Sequence, residues 1–155
     1  MLLARAAWAE DATVSDPAAG VRFRPHAAYF EILGKNGLYG VGYDYSLSDR
    51  FAVGGSGAYY NVESERIFSL APYASAAPLK GRWGALLLQV GAQFVHVSVP
   101  SRVVGWSGTS ATGVASQLSA GYEYRSAFLF RFLLSSVLGQ GGARPWVGMA
   151  LGATF

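Results

Sequence analysis

The segment PWVGMALGATF alternates in side-chain size with a period of two. From Val147 onward, one face carries Val147, Met149, Leu151, Ala153 and Phe155, and the other carries the small residues Gly148, Ala150, Gly152 and Thr154. Successive side chains of a β-strand point to opposite faces, so this period predicts a strand. A strand of a soluble sandwich would need a polar outer face, which this segment does not offer. The pattern suits a transmembrane β-barrel strand, with bulky side chains in lipid and small ones in a narrow lumen.

The composition also favours a membrane barrel. Hydrophobic residues make up 52% of the chain and charged residues only 14%, against roughly 25% charged residues in soluble proteins. The longest apolar run, WGALLLQVGAQFVHVSV, is interrupted by Gln89, Gln93 and His96, so no segment reaches the roughly 18 apolar residues of a spanning helix. Only helices and closed barrels satisfy the backbone in lipid. A barrel is therefore the membrane structure that remains.

The same alternation recurs along the chain, and it predicts an all-β fold, an eight-stranded antiparallel up-and-down transmembrane β-barrel. A soluble lipocalin-like barrel is the alternative, but its outer face would need many charges. Aromatic residues cluster at both ends of the predicted strands, as in the girdles of membrane barrels. With both termini in the periplasm, the turns SDR, PLKGR and RS lie on the periplasmic side. The predicted strands are Ala27–Leu33, Leu38–Leu47, Phe51–Asn61, Ile67–Ala77, Trp83–Ser98, Gly113–Tyr124, Phe128–Leu138 and Trp146–Phe155.

The barrel domain is predicted to cover residues 21–155, after a flexible lead-in of residues 1–20. Within that lead-in, Ala7, Trp8 and Ala9 have the small-x-small form of a signal-peptidase site. The stretch before them is too short for a complete signal. We therefore expect a truncated signal peptide, with an ordinary disordered N-terminus as the alternative.

Three segments, YFEILGKNGLYGVGYDYSL, FLFRFLLSSVL and PWVGMALGATF, resemble a family of small, mostly uncharacterised bacterial outer-membrane β-barrel proteins. The family pattern has a glutamate in the first strand, a Gly-Asn-Gly-like turn, a tyrosine-rich second strand and a Pro-Trp-x-Gly strand ending in phenylalanine. The resemblance spans Tyr29–Phe155 and departs from the pattern at the turn, which contains Lys35. It implies a location in the outer membrane of the Gram-negative cell envelope. It also implies that Leu151, Ala153 and Phe155 are recognised by the outer-membrane assembly machinery.

Several function classes are disfavoured by what the chain lacks. It has no cysteine, which excludes disulfides, thiolate metal sites and cysteine nucleophiles. Its net charge is only +3 and no basic run is present, which argues against nucleic acid as a partner. The two histidines are far apart, so no metal site is expected. We expect no cofactor.

A set of polar residues falls on the predicted lumen face. An eight-stranded barrel is just wide enough for its side chains to fill, so charges inside it must be paired. We expect Arg131 to pair with Glu31, Asp44 and Glu123 in the periplasmic half of the lumen. A structural salt-bridge network is the favoured interpretation, and a proton or ion path is the alternative. The full predicted set is Glu31, Asp44, Gln89, Gln93, Gln117, Ser119, Glu123 and Arg131.

The segment FVHVSVPS carries a possible hydrolase site. His96 and Ser98 are two residues apart and share the predicted outer face, and Glu65 begins the neighbouring strand at a similar height. A serine nucleophile, a histidine base and an orienting acid are the parts of an esterase. The His-x-Ser pair resembles that of outer-membrane lipid A deacylases, but the asparagine that follows in those enzymes is missing. An interfacial histidine with a strand-end serine is the favoured interpretation.

Two further clusters allow binding hypotheses. Arg102 and Trp106, in the predicted outer loop, could contact lipopolysaccharide or a partner protein, although a plain interfacial loop is favoured. Arg22, Arg24 and His26 suggest anion binding at the inner leaflet, although snorkelling interfacial cations are favoured.

The sequence therefore predicts a non-catalytic structural or interaction protein with a side-chain-filled lumen, embedded in a lipid bilayer with lipopolysaccharide. An outer-leaflet lipid hydrolase is the first alternative and a narrow pore is the second. No protein partner can be named from the sequence.

Overall fold

The computed structural model describes residues 24–62, 65–100, 108–139 and 142–155. Each strand pairs antiparallel with the next along the chain, and the last strand pairs with the first, which closes the barrel. The prediction of an eight-stranded antiparallel up-and-down barrel is confirmed. The strands are β1 (His26–Ile32), β2 (Tyr39–Ser46), β3 (Phe51–Val62), β4 (Glu65–Gly81), β5 (Gly84–Val99), β6 (Thr109–Arg125), β7 (Phe128–Gly139) and β8 (Gly142–Thr154).

The barrel has an apolar exterior and a polar interior. Val41, Leu134 and Trp83 expose 65%, 57% and 70% of their surface on the outside, whereas Asp44 and Arg131 are almost fully buried inside. Soluble proteins usually show the opposite arrangement, in which apolar side chains form the interior and charged side chains lie on the surface. Such an exterior suits hydrocarbon better than water.

Aromatic side chains ring both ends of the barrel. One ring lies near the turns between β2 and β3, between β4 and β5 and between β6 and β7, and the other lies near the opposite strand ends. Apart from Trp146, whose position opposite the inward-facing Ser135 places it on the inner face near the rim, these side chains are exposed on the outer face, as aromatic residues are at a membrane–water interface. The first ring comprises Tyr43, Tyr45, Phe51, Trp83, Tyr122, Tyr124, Phe128 and Phe155, and the second comprises Tyr39, Tyr59, Phe68, Phe94 and Trp146.

Strand β4 is longer than the sequence predicts. The sequence predicts a turn at PLKGR after Ala77, but β4 continues to Gly81, which pairs with Gly84 at the start of β5. A register shift between Ala76 and Leu79 accommodates Pro78, which has no N–H to donate. The bulge therefore allows β4 to continue beyond Pro78, although proline normally interrupts the hydrogen bonding of a sheet.

Strands β6 and β8 begin earlier than predicted, at Thr109 and Gly142 rather than at Gly113 and Trp146. The added part of β6 pairs with the end of β5, where Thr109 lies opposite Val99. The added part of β8 pairs with the end of β7. The added part of β8 contains Gly142 and Pro145, which strands disfavour, but pairing with an existing neighbour outweighs local preference in sheets.

Tyr29 lies inside the barrel, close to the two strands that flank β1. Tyr29 pairs with Gly42 on one side and with Gly152 on the other. A Cβ atom at Gly42 would collide with the Tyr29 ring, and a Cβ atom at Gly152 would lie 2.7 Å from the Tyr29 Cα atom. The two glycines therefore make the space that the tyrosine occupies.

Candidate functional site

A buried ion network lies inside the lumen, in the half nearer the turn between β6 and β7. Arg131 on β7 donates from Nε to Glu123 Oε2 at 2.5 Å, and its Nη2 atom donates to the carboxylate of Asp44. Glu123 lies directly opposite Arg131 in the β6–β7 register, and Asp44 reaches the guanidinium group from β2. One cation thus binds two acids inside the barrel, where an unpaired charge would be very costly.

Two tyrosines extend this network across the lumen. The Tyr73 hydroxyl donates to Asp44 Oδ1 and lies 2.6 Å from the Tyr29 hydroxyl. The Arg131 guanidinium group lies 5.2 Å from the centre of the Tyr29 ring, a distance at which cation–π attraction acts. The sequence alone does not point to these tyrosines as partners of the acids, although Tyr29 has the same parity as Glu31 on β1 and therefore faces inward. We call Tyr29, Asp44, Tyr73, Glu123 and Arg131 the charged layer.

The segment between β1 and β2 folds into the lumen beside the charged layer. Lys35 is 4% exposed and its backbone N–H donates to Glu31 Oε1 at 3.0 Å. Its Nζ atom donates to Gln89 Oε1 at 3.3 Å and lies 3.7 Å from the centre of the Tyr73 ring. Glu31 was expected to pair with Arg131. In the structure Glu31 instead accepts hydrogen bonds from this segment.

Asn36 anchors the same segment to two further strands. It is 1% exposed, and its Nδ2 atom donates to Ser56 Oγ on β3 at 2.6 Å. Its Oδ1 atom accepts from Ser69 Oγ on β4 at 3.2 Å. Gly37 follows with a φ of +104°, a conformation that favours glycine. Lys-Asn-Gly has the sequence of an ordinary turn, and its burial could not be predicted because it depends on contacts with distant strands. We call residues 33–38 the inserted loop.

All of the lumen residues selected from the sequence lie on the inner face. Gln93 is half-buried and the others are buried. Gln93 donates to the backbone oxygen of Lys35, and Gln117 donates from Nε2 to Ser119 Oγ at 3.1 Å. Among the described residues, Gln89 Nε2 and Gln117 Oε1 are buried without a hydrogen-bond partner. The polar set therefore divides between the charged layer, the inserted loop and a glutamine–serine group.

The possible hydrolase residues do not assemble into a triad. His96 lies on the outer face of β5, and its Nδ1 atom is 2.8 Å from Thr112 Oγ1 on β6. Ser98 pairs with Arg66 in the β4–β5 register. Glu65 precedes Arg66, so its side chain points to the opposite face from Ser98. No carboxylate hydrogen-bonds to His96 within the part of the chain that the structure describes, so a positioned acid is missing from this geometry.

The remaining predicted residues fall into two groups. Leu151, Ala153 and Phe155 are exposed on the outer face at the β8 end, and their role in assembly stays a prediction. Arg102, Trp106, Arg22 and the signal-like segment lie outside the described residues. Within residues 24–62, 65–100, 108–139 and 142–155, no three side chains form a group able to hold a metal ion. The same residues contain no helix long and apolar enough to cross a bilayer.

No protein-family sequence model matches the chain, and no curated protein sequence matches it. Its fold is similar to the N-terminal β-barrel domain of Pseudomonas aeruginosa OprF, at 17% identity and a TM-score of 0.62, covering 86% of this chain and all of that one. It is also similar to Ail, the attachment invasion locus protein of Yersinia pestis, at 15% identity and a TM-score of 0.53, covering 83% of this chain and 91% of that one. A structure of Ail in a phospholipid bilayer nanodisc gives 13% identity and a TM-score of 0.53, covering 86% of this chain and all of that one. At these identities the similarity shows the fold alone.

Proposed function

We propose that this chain is an outer-membrane β-barrel protein of the Gram-negative envelope, with a structural or interaction role and no catalytic activity. The observation that carries the proposal is the inverted barrel, in which Arg131, Asp44 and Glu123 are buried inside an apolar outer wall. An apolar outer wall between two aromatic rings matches the hydrocarbon and interfaces of a bilayer. The bilayer and its lipopolysaccharide are therefore the proposed surroundings.

The similarity to known barrels supports this location. Ail is named as an outer membrane protein, and its structure in a phospholipid bilayer nanodisc shares this fold. Ail also forms a complex with the heparin analogue sucrose octasulfate, so a barrel of this kind can present a binding surface. An interaction role is proposed here on the same basis. Leu151, Ala153 and Phe155 are proposed as the signal for the outer-membrane assembly machinery, because they form an exposed apolar row on β8.

The lumen is proposed to be closed by its own side chains. The charged layer joins side chains from β1, β2, β4, β6 and β7 across the interior. The inserted loop adds a second barrier, because Lys35 and Asn36 are buried and bonded to β1, β3, β4 and β5. Ions crossing the barrel would have to displace both sets of contacts. The pore alternative is therefore disfavoured.

Two measurements test the proposal. The purified protein should migrate on an SDS gel at a different position before and after boiling, because a closed barrel resists SDS at room temperature. Reconstituted in planar bilayers, it should give no steady single-channel current. Loss of heat modifiability, or a circular-dichroism spectrum of helical type in detergent, would contradict the barrel in its membrane state. Steady single-channel current would overturn the closed lumen and support the pore.

A further inference from the structure

The turn end of the barrel contains a blind cavity that the proposed function does not use. The cavity has a volume of about 510 Å³ and opens between the turns around Asp49, Arg82 and Ser126. Its inner end is formed by Glu123 and Arg131 of the charged layer. Its volume lies within the roughly 300–1,000 Å³ of small-molecule sites. We call this cavity the vestibule.

The vestibule is strongly cationic. Its lining includes six cationic side chains but only two acidic ones, Asp49 and Glu123. Both acids are already paired, because Asp49 lies 3.4 Å from Lys80 Nζ and Glu123 binds Arg131. Walls of low polarity focus the field of such a cluster into the cavity. The cationic residues are Arg24, Arg50, Lys80, Arg82, Arg125 and Arg131.

Four of these arginines have no carboxylate within ion-pair distance among the residues that the structure describes. Two of them are held in place by backbone oxygens instead. Arg24 Nη1 donates to the Thr154 oxygen at 2.8 Å, and Arg125 Nη2 donates to the Arg24 oxygen at 3.2 Å. A carbonyl oxygen orients a guanidinium group but does not neutralise it. The positive charge is therefore positioned while remaining available to an anion.

We propose that the vestibule is a binding site for a phosphate-bearing anion. The planar guanidinium fork of arginine matches phosphate oxygens in bidentate geometry, and such charge-assisted hydrogen bonds are about twice as strong as neutral ones. Ser46, Ser48 and Ser126 line the same cavity and add hydroxyl donors. The phosphate can come from a dissolved compound or from a lipid headgroup, because the exposed Trp83 ring places the rim at the proposed membrane interface.

The site can be tested by titrating inorganic pyrophosphate into the full chain in a neutral detergent and measuring binding by calorimetry. The matched variants are Arg50→Gln with Arg82→Gln at the rim, and Arg66→Gln with Arg144→Gln at the opposite end of the barrel. All four arginines are exposed, and each double variant removes the same charge. We expect the rim variant to bind at least about tenfold more weakly and the control variant to bind as the unmodified protein does. Heat modifiability on SDS gels confirms that both variants remain folded.

Two results would overturn the proposal: no pyrophosphate binding to the unmodified protein, or equal weakening in both variants. A second titration, in vesicles, identifies the source of the phosphate. If phosphatidylglycerol in phosphatidylcholine vesicles weakens pyrophosphate binding and the rim variant removes this effect, the ligand is a lipid headgroup. If pyrophosphate binds equally with and without phosphatidylglycerol, the ligand is a dissolved phosphate compound.

Discussion

Arg131 and Glu123 occupy directly opposed positions on β7 and β6, and the arginine Nε atom lies 2.5 Å from Glu123 Oε2. Both side chains point into the lumen, so the pair forms only when these strands adopt this register. A slip of one residue would send one of the two charges to the apolar outer face. The ion pair therefore specifies the alignment of the two strands as well as neutralising the charge they enclose.

Replacing Arg131 with methionine should destabilise the barrel strongly. The change leaves Asp44 and Glu123 as buried acids without their cation, and breaking a buried pair in this way commonly costs about 3–5 kcal/mol. The free energy of unfolding in urea, measured in phospholipid vesicles, checks this. As a control, Arg144→Met removes an exposed arginine near the start of β8 and should change the free energy by less than about 0.5 kcal/mol.

The same substitution offers a rescue. Adding Asp44→Asn and Glu123→Gln to Arg131→Met removes the orphaned charges, and the triple variant should recover part of the lost stability. If the single variant unfolds at the same urea concentration as the unmodified protein, Arg131 is not the partner of these acids.

The inserted loop should depend on Asn36. Asn36→Ala removes the hydrogen bonds to Ser56 and Ser69 and leaves buried polar groups unpaired, which costs about 1–3 kcal/mol. Amide hydrogen exchange of residues 33–38 should accelerate at the same time, because the loop loses its attachment to β3 and β4. Asn61→Ala, at an exposed position on β3, is the control and should alter neither quantity. Unchanged exchange in Asn36→Ala would show that the loop is held by other contacts.

The glycine beside Tyr29 should be intolerant of a side chain. In Gly152→Ala the new Cβ atom would meet the Ala28 backbone oxygen and lie 2.7 Å from the Tyr29 Cα atom, and overpacking of this kind costs about 1–3 kcal/mol. Gly113 provides the comparison, because a Cβ atom there meets nothing within 4 Å. Gly113→Ala should leave the protein as stable or raise its stability by up to about 1 kcal/mol. Equal unfolding midpoints for the two variants would argue against the close approach of β1 and β8.

The protein should not release acyl chains from lipid A or from phospholipid in detergent micelles. His96 and Ser98 lie on the outer face of β5, and the alternation of β4 turns Glu65 to the opposite face. Release by the unmodified protein should equal that of a sample without protein. Clear release that both Ser98→Ala and His96→Ala abolish would contradict this prediction and identify the chain as a hydrolase.

Alternation along the chain was sufficient to predict the barrel and the inward direction of residues such as Arg131 and Gln117. It was sufficient because the alternation itself shows which side chains lie on the apolar face and which lie on the opposite face of each strand. The partners inside the lumen were harder to predict. Glu31 shares its face with Asp44, yet Glu31 binds the inserted loop while Asp44 binds Arg131. Which of the two acids binds Arg131 depends on the strand register and on the fold of the inserted loop. Neither can be predicted from the two-residue alternation of the sequence.

Backbone hydrogen bonds between His26 and Phe155, at 3.1 Å and 3.0 Å, extend the pairing of β1 with β8 that closes the barrel. These residues flank the seam between β1 and β8, the two strands farthest apart in the sequence. Until that seam forms, two strand edges have no partners, and lipid cannot satisfy them. Because the seam joins the first and last strands of the barrel, closure has to wait until β8 is available and should be a slow step of folding.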